Sequence, residues 1–188
     1  MTTQNPSKSF DNLGIAPEFL KILHHNKFSV PTPIQYQAIT PAIEGKDIVG
    51  IAQTGTGKTL AFGLPLLQRL HEMRSGMGLI VLPTRELAIQ VEEMLQKIGR
   101  SLGLATAVLI GGEGMGRQIA ALRRRPNVII ATPGRLLDHL ESGNLRLDRV
   151  SIVVLDEADR MLDIGFAPQI KKILSLVPAK RQTMLFSA

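Results

Sequence analysis

The run AQTGTGKT, Ala52–Thr59, follows the apolar stretch DIVGIA and carries glycine, lysine and hydroxyl side chains at the spacing of a phosphate loop, G-x-x-x-x-G-K-[ST]. Ala52 stands where that pattern has its first glycine. In the loop Gln53, Thr54, Gly55, Thr56, Gly57, the two glycines let backbone amides turn inward around phosphate oxygens. Lys58 can reach the β and γ phosphates, and the Thr59 hydroxyl can ligate magnesium. Much further along the chain, the apolar run SIVVL delivers Asp156 and Glu157. Strand ends of an open parallel sheet share one edge, so these carboxylates are expected to face the same phosphates. Asp156 would hold magnesium, largely through water, and Glu157 would position and deprotonate the water attacking the γ phosphate. The chemistry is hydrolysis of a nucleoside triphosphate.

Two more apolar runs end in a similar way. GLIVLP leads through Pro83 into Thr84 and Arg85, and NVIIA leads into Thr132, Pro133, Gly134 and Arg135. Each reads as a threonine-capped helix start whose hydroxyl and free first-turn amides can meet an anion, with the arginine adding a forked charge. A third run, LATAVLI, ends in Gly111 and Gly112, where missing side chains permit close backbone approach. Three anion-friendly turns suggest a strand of phosphates. Six Phe, one Tyr and no Trp leave few rings to stack on bases, so contacts to sugar and phosphate, independent of base sequence, are the expected mode.

These groups need a scaffold to bring them together. Strands are predicted at Asp47–Ala52, Gly78–Leu82, Leu104–Ile110, Asn127–Ala131, Val150–Leu155 and Thr183–Phe186. Helices are predicted at Ala16–Asn26, Lys58–His71, Arg85–Leu102, Met115–Arg124, Pro133–Glu141, Glu157–Asp163 and Pro168–Leu176, while KFSVPTPIQ reads as a turn-rich connection. Alternating strand and helix predict a parallel sheet covered on both faces. The 188 residues suit one domain, with about 1–14 as a flexible arm. The closing run TMLFSA reads as a buried strand with no polar tail, as if a longer chain were cut there.

Composition narrows the function classes. Hydrophobic residues at 44% against 20% charged mark a folded globular protein, and a net charge of +6 favours polyanionic partners. The absence of cysteine rules out a disulfide scaffold, thiolate metal sites and a cysteine nucleophile, and fits a cytoplasmic protein. No run is long and apolar enough for a bilayer or a signal peptide, so no membrane partner is expected. His24, His25, His71 and His139 lack metal-ligand spacing and read as surface or capping residues. Arg123, Arg124 and Arg125 read as a solvated helix end.

Taken together, PTPIQ at 31–35, AQTGTGKT at 52–59, PTRELA at 83–88, GG at 111–112, TPGR at 132–135, DEAD at 156–159 and SA at 187–188 resemble a DEAD-box RNA helicase in identity, order and spacing, with a leaning to the bacterial RhlE-like group. The resemblance implies an α/β fold, a RecA-like P-loop NTPase domain with a mostly parallel sheet and helices on both faces. It implies ATP and Mg2+ as cofactors. Gln35 would read adenine through its amide, with Phe28 lining the pocket, Thr32 within reach and Phe10 as an isolated upstream aromatic nearby. Lys27 stands where the family usually has glycine. Pro83, Thr84, Arg85, Gly111, Gly112, Thr132, Pro133, Gly134 and Arg135 would hold single-stranded RNA by phosphates and 2′-hydroxyls. Asp159 and Ser187 would couple hydrolysis to duplex opening.

The same resemblance implies a second RecA-like domain that closes over ATP, supplies arginine fingers and completes the RNA channel. None of its motifs lies within these residues. Because such a charge clamp is worth about 10³–10⁵ in rate, the chain alone is expected to be a monomer that binds adenine nucleotide, hydrolyses it near background and unwinds nothing. Two other classes compete with this reading. A nucleotide-gated RNA-binding or scaffold module would have no use for a base such as Glu157, and a DNA helicase or other phosphate-loop motor would respond equally to DNA and RNA.

Overall fold

The computed structural model describes residues 9–188. In chain order its elements are α1 (Pro17–His25), α2 (Pro33–Ile43), β1 (Ile48–Ile51), α3 (Lys58–Met73), β2 (Met77–Val81), α4 (Arg85–Gly99), β3 (Thr106–Leu109), α5 (Met115–Arg123), β4 (Val128–Ala131), α6 (Pro133–Glu141), β5 (Val150–Leu155), α7 (Ala158–Asp163), α8 (Ala167–Leu176) and β6 (Gln182–Ser187). Short 3-10 turns occupy Phe10–Asn12 and Arg100–Leu102, the second replacing the last turn predicted for α4. The six strands form one sheet in the order β1-β6-β5-β2-β4-β3, every pair parallel.

That order explains where the helices lie. The chain crosses the sheet one way from β1 through β2 to β3, then returns through β4 and β5 to β6. Right-handed crossovers made in opposite directions put their helices on opposite faces. Residues of α1 to α4 accordingly build one core, and those of α5 to α8 build the other. The strands feed both. Val128 and Ile130 of β4 enter the first core while Ile129 and Ala131 enter the second, and all four are fully buried. This two-sided burial is why the central strands β2 and β4, and nearly all of β5, read as apolar runs rather than as alternating ones, whereas β3 and β6 alternate between buried and half-buried residues.

Three local readings need correction. The turn-rich connection expected over residues 27–35 gives way at Pro33 to α2, which runs on to Ile43 through residues with no predicted element. Its inward positions Gln35, Ala38, Ile39 and Ala42 do have helical spacing, but a glutamine and two alanines carry little apolar signal, and Pro41 lies inside the helix. The arm expected over about 1–14 is docked from Phe10 onward. Phe10 and Leu13 are 1% and 3% exposed, and Gln68 accepts from Ala16 N at 3.0 Å and donates to the Gly14 carbonyl at 3.2 Å. Residues 1–8 of that arm lie outside the described ones. His139, expected at the surface, is completely buried. Helical periodicity places it on the inner face of α6 with Leu136, a position the sequence reading passed over.

Lys27 takes a φ of +62°, the left-handed region that glycine favours. It ends α1 in a Schellman motif, with Phe28 N donating to the Leu23 carbonyl at 2.9 Å and Lys27 N to that of His24 at 3.0 Å. The turn survives the lysine at a conformational cost of about 1 kcal/mol. No helix among the described residues is long and apolar enough to cross a membrane.

Candidate functional site

Because all strands are parallel, the segments that leave them emerge on one edge, and sheet order sets their sequence in space. Across that edge come the phosphate loop after β1, Ser187 on β6, Asp156 and Glu157 after β5, Pro83–Arg85 after β2, Thr132–Arg135 after β4 and Gly111–Gly112 after β3. Backbone bonds carry the ladder past the strands. Ala52 N donates to Ser187 O at 3.0 Å, Asp156 N to Val81 O at 3.1 Å, Leu82 N to Ala131 O at 3.0 Å and Thr132 N to Leu109 O at 3.1 Å. The nucleotide residues and the anion-binding turns therefore occupy opposite halves of one hydrogen-bonded rim.

At the first half, β1 and β5 are separated by β6, about 10 Å at the usual strand spacing. The lysine and glutamate side chains together are long enough to close that gap. Lys58 Nζ, in the first turn of α3, lies 2.8 Å from Glu157 Oε1, the two residues being 99 apart in sequence, with 6% and 11% of their side chains exposed. Thr59 is the next residue of the same turn. Glu157 has a φ of +54°, an unfavourable backbone state for a carboxylate residue, held by its amide donating to Asp156 Oδ1 at 3.0 Å. Asp156 is 4% exposed, and burial pushes its carboxyl up to about 6 against the opposing pull of the Lys58 charge.

Asp156, a buried carboxylate that resists ionisation, and Thr59, in the first turn of α3, lie on the same rim and offer the oxygen donors that a hard cation takes. No group of three or more His, Cys, Asp or Glu that could hold a metal ion exists among the described residues. The loop itself has room for phosphate. Gly55 at φ +83° has open space where a Cβ would stand, and Gly57 at φ +87° would collide through a Cβ with Gln35 Nε2. Gln53, Thr54 and Gly55 are exposed, and Thr56 folds its hydroxyl back to the Gln53 carbonyl at 2.6 Å.

Gln35 links this loop to α2. Its Oε1 accepts from Thr32 N at 2.9 Å at the helix start, and its Nε2 donates to the Gly57 carbonyl at 3.1 Å. The Thr32 hydroxyl lies beside Gly57, buried and without a partner. Phe28 is half-buried against the first core, and Phe10 packs inside it, so packing is the role the structure shows for Phe10. Asp159, in the first turn of α7, accepts from the Ser187 hydroxyl, and that bond with the Arg160 amide holds its carboxyl below the usual range.

At the other half, Pro83, Thr84, Arg85, Gly111, Thr132, Gly134 and Arg135 line one concavity of about 460 Å³. Thr84 caps α4 by accepting from Leu87 N at 3.3 Å, whereas Thr132 occupies the same position before α6 without a side-chain cap, its neighbour Pro133 being the buried first residue of the helix. Arg85 Nη1 donates to the Gly111 carbonyl at 3.4 Å, and a side chain at Gly112, φ +81°, would strike that guanidinium. Arg135 Nη1 donates to the Glu113 carbonyl at 3.0 Å. Glu86, Asp138 and Phe166 also line the concavity and went unnoticed in the sequence. Asp138 had a signal, its spacing from Arg135 by three helical residues, and the two lie 3.4 Å apart.

Fold and site together define a RecA-like phosphate-loop domain in which the residues expected at a nucleotide and the turns expected to meet anions share one sheet edge. The DEAD/DEAH box helicase family model matches residues 32–188, and the chain belongs to that family. It is 47% identical to the ATP-dependent rRNA helicase RRP3 of Debaryomyces hansenii, over 100% of this chain and 40% of that protein. It is 49% identical to the DEAD-box ATP-dependent RNA helicase CshA of Geobacillus kaustophilus, over 96% of this chain and 39% of that one. A crystal structure of a DEAD box protein from the hyperthermophile Methanococcus jannaschii superposes with a TM-score of 0.89 at 37% identity, covering 96% of this chain and 50% of that chain. The chain thus spans about 40% of the length of the curated relatives it matches.

Proposed function

We propose that the chain is the ATP-binding domain of an ATP-dependent RNA helicase. The observation that carries the reading is the Lys58–Glu157 contact on the same hydrogen-bonded rim as seven of the residues expected at RNA. A triphosphate entering the loop would exchange places with Glu157 as the partner of Lys58. Glu157 would then be free to orient and deprotonate water. Bound magnesium, held by Thr59 and Asp156, would neutralise charge on the β and γ phosphates. Asp159 and Ser187, bonded to each other in the nucleotide half, would pass the change along the rim.

Gln35 supports ATP as the nucleotide. A primary amide offers two acceptor lone pairs and two N–H donors, and the bonds to Thr32 and Gly57 use one of each. The remaining pair matches the donor and acceptor of adenine, whereas guanine presents an acceptor where adenine has its amino group. Pro83, Thr84, Arg85, Gly111, Gly112, Thr132, Pro133, Gly134 and Arg135 would follow an RNA backbone without reading bases. A second RecA-like domain in the full-length protein would complete both sites, so the chain alone binds nucleotide and does not unwind. A cytoplasmic setting belongs to the same reading. Identities of 47% to a fungal relative and 49% to a bacterial one do not favour one branch of the family.

Titration of the chain and of Gln35→Ala with ATP, ADP, AMP and GTP tests the pocket. ATP is expected to bind more tightly than GTP, with the preference lost in the variant. Equal binding of ATP and GTP by the unaltered chain would overturn the adenine assignment.

A further inference from the structure

His139 has no part in either half of the rim, yet its surroundings are specific. Its Nε2 lies 2.9 Å from Gln118 Oε1, and Gln118, on α5 and 2% exposed, donates from Nε2 to the Ile110 carbonyl at 2.8 Å. Asn144 Nδ2 lies 3.5 Å from the other ring nitrogen. The far end fixes the direction of this relay. A carbonyl accepts, so the Gln118 amide nitrogen faces Ile110, its oxygen faces the ring, and His139 carries its proton on Nε2. Burial, then the Arg135 charge, hold His139 below the usual histidine range against the opposing Asp138, which keeps the ring in that neutral form.

The relay joins α6, α5 and the residue just before Gly111. From the solvent side, the turn 111–113 is held by two guanidinium groups, Arg85 on the Gly111 carbonyl and Arg135 on that of Glu113. These are the arginines expected to meet phosphates, and a phosphate would draw them off neutral carbonyls. The buried bond from Gln118 to Ile110 is the hold that remains. We infer that His139 and Gln118 are positioning residues that keep the Gly111–Gly112 turn in register with the N-terminus of α6, so that both turns meet one nucleic-acid backbone. The inference rests on the RNA-backbone reading above.

The test is a nuclear magnetic resonance titration of the chain with a polyuridine oligonucleotide, followed at the Gly111, Gly112 and Gly134 amides. A parallel titration with ATP and magnesium is followed at Gly55 and Gly57. His139→Leu is expected to weaken oligonucleotide binding about tenfold, the usual scale for stranding a buried polar group, with nucleotide affinity unchanged. Gln118→Met, which keeps side-chain length and removes both polar atoms, reports the same hold by a second route should His139→Leu not fold. His139→Gln can present an amide N–H where the ring presents Nε2–H, and is expected to stay within about twofold of wild type. Unchanged oligonucleotide affinity in His139→Leu and Gln118→Met overturns the positioning role, as does a loss in His139→Gln equal to that in His139→Leu, or nucleotide affinity falling in step. The RNA-backbone reading survives those results. A wild-type chain whose Gly111, Gly112 and Gly134 amides ignore the oligonucleotide overturns both.

Discussion

Lys58 and Glu157 face each other with 6% and 11% of their side chains exposed, whereas Arg85, which follows β2 on the same rim, keeps 55% of its side chain in solvent. The contrast sorts the two halves by how a ligand can act on them. A buried pair has no water to replace a lost partner, so its charges move only when another ion takes over, which on the proposed function would make the nucleotide half a switch. An exposed guanidinium on a backbone carbonyl gives up little when it turns to a phosphate, so the other half would add affinity in small, salt-sensitive steps. Arg135, at 15% exposure, lies between these extremes.

The sharpest challenge to this contrast is Glu157→Gln. In the full-length protein, ATP hydrolysis is expected to fall by about 10²–10⁴, the usual worth of a positioned base, while ATP binding persists. Hydrolysis at the wild-type rate would remove Glu157 from the mechanism.

Next in size is the cost of the buried Asp156 charge. Its folded value is raised to about 6 from 3.8, so the unfolded chain gives up this proton first. The favourable contribution is complete below the unfolded value and disappears as pH rises through about 6. Two units correspond to about 3 kcal/mol, so Asp156→Asn is expected to gain that much over wild type in urea unfolding at neutral pH, with the gain shrinking toward about pH 4. A gap between the two proteins that does not change with pH would mean that the carboxyl is not strained by burial.

A smaller effect is expected at the solvated half. Arg135→Ala should weaken RNA binding about tenfold and lower the salt slope by about 0.7, leaving ATP affinity as it was, and Arg85→Ala should do less. An ATP affinity that falls with RNA affinity would dissolve the division between the halves. Smallest of all, Lys27→Gly relieves a left-handed backbone remote from the rim and should raise the melting temperature by about 2–4 °C. Any change in nucleotide binding there would show that the turn before Phe28 does more than end α1.

Much of the site was legible because phosphate chemistry is local. Gly55, Gly57, Lys58 and Thr59 sit within one turn, and Thr84 and Thr132 each begin a helix beside the strand that delivers them. The central strands were legible too, since burial on both faces removes most polar residues from β2, β4 and β5. What escaped notice was burial without an apolar side chain. Helix α2 turns Gln35 and two alanines inward, and His139 with Gln118 forms a polar contact in a place where hydrophobic spacing alone predicts nothing.

By itself, then, the sequence determined which residues can hold phosphate, ionise or turn tightly, because those properties belong to a residue and its immediate neighbours. The tertiary structure alone decided that Lys58 meets Glu157 across β6, that this pair and the solvated turns lie in adjoining halves of one rim, and that His139 is an interior residue. Strand order follows from the direction and handedness of crossovers that span tens of residues, and no short window of sequence contains them.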